Sequence, residues 1–282
     1  MRSLLFVPGD DLKKLSRSLR DDTEADALIF DLEDSVALAR KDDARRITCD
    51  ALGLDTTKRR FVRLNPFDTG RLHEDLAATL PGNPDGFVLP KATGVQAVAR
   101  LGRLMDQAGA DPRCSIIVIA SETPVAVQAL ARDDWGHPRL EGMMWGAEDL
   151  AAELGASRNR VEGRPTQPFR LALNLMLVAA KAAGVLAVDT VYADFRDQAG
   201  LRAEAEEAAA DGFDAKAAIH PAQLAPINQA FTPTAEAVAW ARAVVAVMSE
   251  ASTGVASLDG QMLDQPHLKQ AHRILTRAND DR

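Results

Sequence analysis

The sequence is poor in cysteine, with only Cys49 and Cys114 among its 282 residues, and neither belongs to a paired motif. So few cysteines exclude a disulfide framework and favour a reducing compartment. The chain also has no apolar run of transmembrane length, and its first residues lack the apolar segment of a signal peptide. We therefore expect a cytoplasmic protein with no membrane partner.

Several nucleotide-binding and hydrolase motifs are missing as well. The chain has no P-loop, no G-x-G-x-x-G dinucleotide motif and no G-x-S-x-G turn, which argues against NTPases, Rossmann dehydrogenases and serine hydrolases. Positive charge is also scarce, since 33 Lys and Arg residues stand against 41 Asp and Glu residues and the net charge is -8. This excess of acid argues against a nucleic-acid partner.

The chain does contain a regular series of short apolar runs separated by helical stretches. The predicted strands are Leu4–Pro8, Ala27–Phe30, Arg60–Leu64, Gly86–Leu89, Ser115–Ala120, Leu140–Trp145, Val185–Val191 and Ala215–Ile219. Eight strands alternating with helices predict an α/β fold, a (β/α)8 TIM barrel, over residues 1–221. Residues 222–282 are expected to form a helical C-terminal extension, with helices at Ala235–Ser249 and Leu263–Arg277.

Most of these strands are followed by charged or polar residues, which a barrel brings together at the carboxyl ends of its strands. The residues expected at this mouth are Asp31, Glu33, Asp34, Arg63, Asn65, Lys91, Glu122, Glu148, Asp149, Asp189 and His220. Glu122 with Asp149 or Glu148 would suit Mg²⁺, which takes one or two carboxylates and keeps several waters. The same acids could instead cap the helices that follow, and the spacing leaves both interpretations open.

Arg63 lies in an otherwise apolar strand, where an unpaired cation is costly. It could clamp a substrate carboxylate through two parallel hydrogen bonds. Alternatively it could form a structural ion pair with Asp31, Glu33 or Asp34. The residues alone favour the ion pair.

Lys91 and His220 also follow predicted strands. Lys91 could form a Schiff base, but nothing near it in the sequence indicates the lowered pKa that this role needs, so ion pairing at the mouth is favoured. His220 could act as an acid or base, although a histidine at a strand end more often orients a loop through hydrogen bonds.

A basic helix is predicted directly after the first strand, at Asp10–Arg20, with Leu12, Leu15 and Leu19 on one face. Its cations are Lys13, Lys14 and Arg17. Such residues usually form a solvated face. Their position near the barrel mouth makes them candidates for binding a phosphate-bearing ligand.

Eight short motifs occur in a fixed order along nearly the whole chain. They are Arg2–Gly9, Asp31–Val36, Val62–Asn65, Leu89–Lys91, Glu122, Gly146–Asp149, Val191–Asp197 and Ile219–Gln223. In this order they resemble the citrate lyase β-subunit-like branch of the HpcH/HpaI aldolase superfamily, which includes malyl-CoA, citramalyl-CoA and citryl-CoA lyases. Each motif is weak, but the ordered set is specific.

The resemblance implies a (β/α)8 barrel, commonly trimeric, that binds Mg²⁺ through Glu122 and Asp149. It also implies that Arg63 contacts the carboxylate of a 2-oxo acid, which reverses the preference drawn from the residues alone. Glu33 and Asp34 would hold water molecules around the metal. Glu148 would have a supporting role.

The resemblance further implies an acyl-CoA partner. Phe6 and the basic residues Lys13, Lys14 and Arg17 would lie near coenzyme A, and the backbone of Gly146 and Ala147 would offer N–H groups to the oxo acid. In the tail, the segment Gly260–Pro266 resembles a motif whose aspartate, here Asp264, reaches a neighbouring subunit's site as acid or base. By pattern alone Asp264 would be a helix N-cap.

The implied activity is Mg²⁺-dependent cleavage or formation of a carbon–carbon bond in a 3-hydroxyacyl-CoA of the citramalyl-, malyl- or citryl-CoA type. Two alternatives stay open: a CoA-independent aldolase acting on 2-oxo acids, and a non-catalytic CoA-binding subunit of a lyase complex.

Overall fold

The computed structural model describes residues 1–250 and 254–280. Eight short parallel strands within residues 1–250 form a closed barrel, in which each strand pairs with its neighbour in sequence and the last pairs with the first. The strands are β1 (Ser3–Pro8), β2 (Ala27–Asp31), β3 (Arg59–Arg63), β4 (Gly86–Leu89), β5 (Ser115–Ile119), β6 (Leu140–Met144), β7 (Leu186–Asp189) and β8 (Ala215–Ala218). The predicted TIM barrel is confirmed, with each strand close to its expected position.

The inside of the barrel is filled by alternate residues of the strands. Successive side chains of a strand point to opposite faces, so every second residue faces inward. The fully packed inner residues are Leu4, Ala27, Ile29, Phe61, Val88, Ile117, Ile119, Met144, Val188, Ala215 and Ala217. Because this interior is apolar and packed, polar side chains are found at the ends of the strands.

The helices follow the strands and are placed by local capping signals. They are α1 (Leu12–Ser18), α2 (Lys41–Leu52), α3 (Leu72–Thr79), α4 (Val95–Gln107), α5 (Pro124–Arg132), α6 (Glu148–Leu154), α7 (Gln167–Ala183), α8 (Gln198–Asp211), α9 (Leu224–Phe231), α10 (Ala235–Glu250) and α11 (Gln265–Asp280). At α5, for example, the Thr123 hydroxyl accepts from the N–H of Ala126, and Pro124 occupies the first position, where its missing N–H costs nothing.

The basic helix α1 is shorter than predicted. Asp11 caps it by accepting from the N–H of Lys14 at 3.0 Å, so the helix begins only at Leu12. Leu15 and Leu19 are buried as expected, whereas Leu12 is 53% exposed. Leu12 is the first residue of the helix, so only the later leucines of this face are buried.

Two small hairpins lie outside the barrel sheet. Arg160–Val161 pairs with Arg164–Pro165 in a region predicted to be an irregular loop. Ala256–Leu258 pairs with Gln261–Leu263, and its turn residues Asp259 and Gly260 both have positive φ, the conformation required by a tight type I′ turn. This second hairpin displaces the start of the last helix from the predicted Leu263 to Gln265.

The chain divides into two compact units, Met1–Ile227 and Asn228–Arg282, whereas the sequence placed the boundary after Pro221. The second unit has its own core, formed by Ala241, Val244, Met248, Leu263 and Ala271. The predicted extension, 222–282, includes residues 251–253 and 281–282, which lie outside the described residues. Across the described ranges, no helix combines the length and apolar character needed to cross a membrane.

Candidate functional site

Five consecutive strands each supply one charged side chain to the mouth of the barrel. Glu33, Arg63, Lys91, Glu122 and Asp149 follow or end β2, β3, β4, β5 and β6 in that order. Because neighbouring parallel strands are in register, their carboxyl ends meet at one edge, and the five side chains are linked by direct contacts or charge interactions. We call them the mouth cluster.

Arg63 is held by three acids. Its Nε and Nη2 donate to the two carboxylate oxygens of Asp31, both at 2.7 Å, and its Nη1 lies 2.8 Å from Glu33 Oε2 and 3.7 Å from Asp34 Oδ2. The guanidinium also lies over the ring of Phe6, 5.0 Å from its centroid. Burial opposes ionisation of Asp31, but Arg63 keeps the pKa of this carboxyl below its ordinary value. The ion pairing predicted from the sequence is confirmed.

Lys91 joins the remaining acids. Its backbone N–H donates to Glu122 Oε2 at 2.5 Å, and its Nζ lies 3.3 Å from Glu33 Oε1 and 3.2 Å from Asp149 Oδ1. Burial lowers the pKa of the ammonium, but the charges of Glu33 and Asp149 raise it above its ordinary value. The contacts with Glu33 and Asp149 are the ion pairing that the sequence favoured, and a raised pKa is the opposite of what Schiff-base chemistry needs.

Two of the mouth carboxyls are poorly stabilised as anions. Glu122 is 2% exposed and Glu33 is 4% exposed. Burial, together with the charges of Glu33 and Asp149, raises the pKa of Glu122 to about 8. Burial likewise raises the pKa of Glu33 to about 7, even though Arg63 acts in the opposite direction. Neutral pH therefore falls near the titration range of both groups.

These acids fit a hard divalent cation. Neither oxygen of Glu33 has a hydrogen-bond partner among the described residues, because the contacts from Arg63 and Lys91 lack the direction of hydrogen bonds. The part of the chain that is described holds no preformed cage of three or more acidic, cysteine or histidine ligands. Mg²⁺ does not require one, since it binds through one or two carboxylates and keeps its waters.

Gly146 allows the end of β6 to pass close to Glu122. A Cβ at this position would lie 2.8 Å from Glu122 Cγ and 3.3 Å from Ile119 Cγ2, which is closer than packed carbon atoms approach. The Gly146 N–H donates to Ser121 Oγ at 3.1 Å. Ala147, next in the chain, is buried.

A lysine that the sequence reading missed supports the loop that carries Glu33. Lys41 Nζ donates to the carbonyl oxygens of Leu32 and Glu33 at 2.6 and 2.7 Å and to Asn65 Oδ1 at 2.8 Å. Asn65 in turn donates to Asp75. The only sequence signal for this role was a lysine at the start of the helix after the acidic loop.

Asp189 was predicted at the mouth, and this prediction is wrong. Because side chains alternate along β7, Val188 faces the barrel interior and Asp189 faces the helices outside. Trp145 Nε1 donates to Asp189 Oδ1 at 2.6 Å, and Lys216 Nζ donates to Asp189 Oδ2, the Thr190 carbonyl and Glu204 Oε1 at 2.5, 2.8 and 2.7 Å. We call this group of side chains the back cluster; its members are Trp145, Arg160, Asp189, Glu204 and Lys216.

The other predicted residues lie in polar surroundings. Glu148 Oε1 accepts from Asn159 at 2.8 Å, consistent with a supporting role. His220 Nδ1 accepts from the N–H of Ala222 at 3.1 Å, which confirms that it orients a loop. His220 also stacks on Phe195, with ring centroids 4.6 Å apart.

The three cations of α1 are exposed, as expected of a helix face. Lys14 forms an ion pair with Asp11 at 3.3 Å. Lys13 and Arg17 are on the same short helix. The structure thus brings these three residues together on one surface.

Asp264 lies in the second unit, directly before α11. Its Oδ1 is 2.5 Å from His267 Nδ1, and its N–H donates to the same ring nitrogen at 3.2 Å. The N-cap position that the pattern predicted is confirmed, since its carbonyl accepts from the N–H of Leu268. The sequence reading missed His267, although its position, three residues after the N-cap, is the usual place of a side chain that folds back onto the cap.

A closed parallel barrel with carboxylates, an arginine and a lysine at its strand ends defines a TIM-barrel protein with an anion- and metal-compatible site. Comparison with known proteins then identifies the family. The family model HpcH/HpaI aldolase/citrate lyase matches residues 2–221, and the chain belongs to this family.

Three relatives show how far the similarity extends. A (3S)-malyl-CoA thioesterase of Cereibacter sphaeroides is 37% identical, with 98% of this chain and 94% of that protein covered. A citrate lyase subunit beta-like protein of Mycobacterium tuberculosis is also 37% identical, with 98% and 95% covered. The solved structure of protein CitE from M. tuberculosis, in complex with magnesium, acetoacetate and coenzyme A, has a TM-score of 0.80, is 36% identical, and covers 99% of this chain and 98% of its own.

Proposed function

We propose that this chain is a Mg²⁺-dependent lyase that cleaves a 3-hydroxyacyl-CoA of the citramalyl-, malyl- or citryl-CoA type into a 2-oxo acid and an acyl-CoA, or joins them. The observation that carries the proposal is the mouth cluster, where two buried carboxyls and Asp149 lie beside a fixed arginine. The magnesium, acetoacetate and coenzyme A bound by the M. tuberculosis relative support it.

Glu122 and Asp149 would hold the metal, while Glu33 and Asp34 would hold waters around it. When bound, Mg²⁺ would act as a Lewis acid that stabilises negative charge on the oxygen of the oxo acid. Holding a cation there would favour the ionised forms of Glu33 and Glu122, whose pKa values burial raises. The acids would then be stable as anions in the loaded enzyme.

Arg63 would bind the carboxylate of the substrate. Asp31 accepts directed hydrogen bonds from Nε and Nη2, whereas Nη1 makes only ion-pair contacts with Glu33 and Asp34, so Nη1 would be the group that contacts the ligand. The bidentate pair with Asp31 fixes the plane of the guanidinium in advance, which reduces the entropy lost on binding. Gly146 and Ala147 would line the same oxo acid from the end of β6.

Asp264 would act as the acid and base. In cleavage its carboxylate takes the proton of the substrate hydroxyl, the C–O bond becomes a carbonyl, and the carbon–carbon bond breaks with its electron pair on the α-carbon of the thioester. The resulting acyl-CoA enolate is then protonated. In synthesis the same carboxylate would remove the α-proton. We infer a homotrimer in which Asp264 of one subunit serves the mouth of a neighbour.

Coenzyme A would bind near β1 and α1. Phe6 packs against the barrel interior beneath the guanidinium of Arg63, and Lys13, Lys14 and Arg17 present exposed cations on the next helix. Exposed cations suit phosphate groups, which keep most of their hydration when bound at a surface. Replacing all three would raise the KM for an acyl-CoA more than it lowers kcat.

The test is a mass-spectrometric assay of the purified full-length chain with Mg²⁺ and, separately, malyl-, citramalyl- and citryl-CoA. We expect a 2-oxo acid and an acyl-CoA in equal amounts from one of the three. Asp264→Ala should abolish this turnover and leave Mg²⁺ binding intact. Undiminished lyase activity in that variant would rule out the assigned role of Asp264.

A second activity, hydrolysis of the thioester, is favoured by one observation: the C. sphaeroides relative is a (3S)-malyl-CoA thioesterase. The same assay separates the two reactions, because hydrolysis of malyl-CoA gives malate and free coenzyme A, whereas lysis gives glyoxylate and acetyl-CoA. Calorimetry with acetyl-CoA tests the CoA-independent aldolase, for which no binding is expected.

A further inference from the structure

Lys91 has a backbone conformation that a lysine rarely adopts. Its φ is +51°, in the left-handed region that is strained for a residue with a Cβ. Strained residues of this kind persist where the surrounding structure requires them and are concentrated at functional sites. At this position the conformation lets the backbone N–H face Glu122 while the side chain reaches Glu33 and Asp149.

The two halves of Lys91 contact different acids in different ways. The N–H forms a directed hydrogen bond with one oxygen of Glu122. The ammonium, in contrast, lies 3.3 Å from Glu33 and 3.2 Å from Asp149, and the oxygens of Glu33 have no directed hydrogen bond among the described residues. The backbone contact can therefore persist while the ammonium moves.

We propose that Lys91 is a positioning residue with two functions: its backbone N–H holds Glu122 in place, and its ammonium competes with a divalent cation for Asp149 and Glu33. The inference rests on the proposed function, since it concerns the same metal site. A cation bound by Glu122 and Asp149 must share Asp149 with an ammonium that lies 3.2 Å from it. Lys91 thus weakens metal binding and lets the metal exchange.

The size of the effect follows from Coulomb's law. Near a protein surface the effective dielectric constant is high and weakens the repulsion between an ammonium and a bound cation, and the side chain of Lys91 is 30% exposed. Movement of the flexible side chain relieves most of this repulsion. We therefore expect a residual penalty of about tenfold in metal affinity.

The experiment measures the Kd of the full-length protein for Mn²⁺ by electron paramagnetic resonance and for Mg²⁺ by calorimetry, after removal of metal with a chelator. Lys91→Met should bind both ions about tenfold more tightly than the wild type. Lys91→Arg, which keeps the charge, should bind within about threefold of the wild type. Lys91→Gly, which keeps the N–H and removes the backbone strain, should match Lys91→Met and guards against misfolding of the methionine variant.

Lys181→Met is the matched control. Lys181 is on the outer helix α7, forms an ion pair with Asp214, and has a side chain that is 33% exposed. It is thus a lysine of similar exposure that is far from the mouth residues in sequence. Its replacement should leave both Kd values unchanged. Unchanged or weaker binding in Lys91→Met and Lys91→Gly, with normal binding in the wild type, would overturn this inference alone. Absence of Mn²⁺ and Mg²⁺ binding in the wild type would overturn the proposed function as well.

Discussion

The mouth cluster and the back cluster contain similar residues but satisfy them differently. In the back cluster, Lys216 donates three hydrogen bonds and both oxygens of Asp189 accept one. In the mouth cluster, Glu33 has two buried oxygens without a directed hydrogen bond among the described residues, and Lys91 has a strained backbone. The fold itself supplies hydrogen-bond partners for the charges of the back cluster, whereas the mouth cluster keeps groups that can bind a further partner.

This difference separates structural from functional charges. A buried ion network whose members are all bonded stabilises one arrangement of the elements around it, and losing one partner leaves an uncompensated charge. Buried acids with raised pKa values destabilise the folded state when they are ionised, unless a bound cation compensates their charge. The comparison therefore predicts opposite responses to mutation in the two clusters.

The largest effect is expected for Glu122→Gln in the mouth cluster. The variant should lower kcat/KM about a thousandfold or more, because a neutral amide is a poor ligand for Mg²⁺. Its free energy of unfolding without metal should be equal to or above that of the wild type, since a buried carboxyl with a raised pKa has been removed. Steady-state kinetics and urea unfolding measure both quantities, and a clear loss of stability would contradict the functional interpretation of Glu122.

Lys216→Met in the back cluster should have the opposite profile. It leaves Asp189 and Glu204 buried without their ammonium, which costs about 3–5 kcal/mol of stability. Lys91→Met should cost no more than about 1 kcal/mol, since its side chain is partly exposed and its ion pairs lie at the surface of the mouth. Urea unfolding of both variants tests the comparison directly. Equal losses would mean that the two clusters have the same structural role.

Gly146→Ala tests how closely the mouth cluster is packed. The new Cβ would lie 2.8 Å from Glu122 Cγ, so the carboxylate must move. We expect about a tenfold to hundredfold loss of kcat/KM and a loss of about 1–2 kcal/mol of stability. Gly53→Ala is the control, because a Cβ there meets only an ordinary contact at 3.4 Å and the residue has a helical φ of -76°. Wild-type activity in Gly146→Ala would show that Glu122 tolerates displacement.

A last expected effect is the pH dependence of stability. Burial raises the pKa of Glu33 to about 7 and that of Glu122 to about 8, so between about pH 4.5 and 8 the folded state binds more protons than the unfolded state. In a chelator, the free energy of unfolding should fall as pH rises through this window, by up to about 1.4 kcal/mol per pH unit for each group. Thermal denaturation at several pH values measures the slope.

Saturating Mg²⁺ should reduce this slope, because a bound cation stabilises the ionised carboxyls. Glu122→Gln should also reduce it in chelator. A slope that is the same in the wild type and in this variant would show that other groups cause the pH dependence.

The sequence predicted the barrel well because the signal was local. Each apolar run, such as Ser115–Ala120, is long enough for a buried strand and stops at polar residues or proline. The alternation of strands and helices then left few topologies to consider. The position of Glu33, Arg63, Glu122 and Asp149 at one mouth followed from the fold alone.

The errors arose where side-chain direction or turn geometry decided the outcome. Asp189 is the last residue of β7, whereas Glu122 follows the end of β5. The pleat turns Asp189 outward to Trp145 and Lys216, and a strand boundary known to within one residue cannot fix that direction. The turn at Asp259-Gly260 was a missed signal, because Asp-Gly between short apolar segments is typical of a hairpin. The left-handed conformation of Lys91 has no sequence signal at all.

The mouth cluster draws only on β2 to β6, which has a consequence for synthesis of the chain. All five of its residues lie between Glu33 and Asp149, so they are translated before β7 and β8, and domains generally fold as units during synthesis. The back cluster needs β7, β8 and α8 as well as the end of β6. The mouth cluster is thus translated before the last strands, and the ion network around Lys216 forms only when those strands close the barrel.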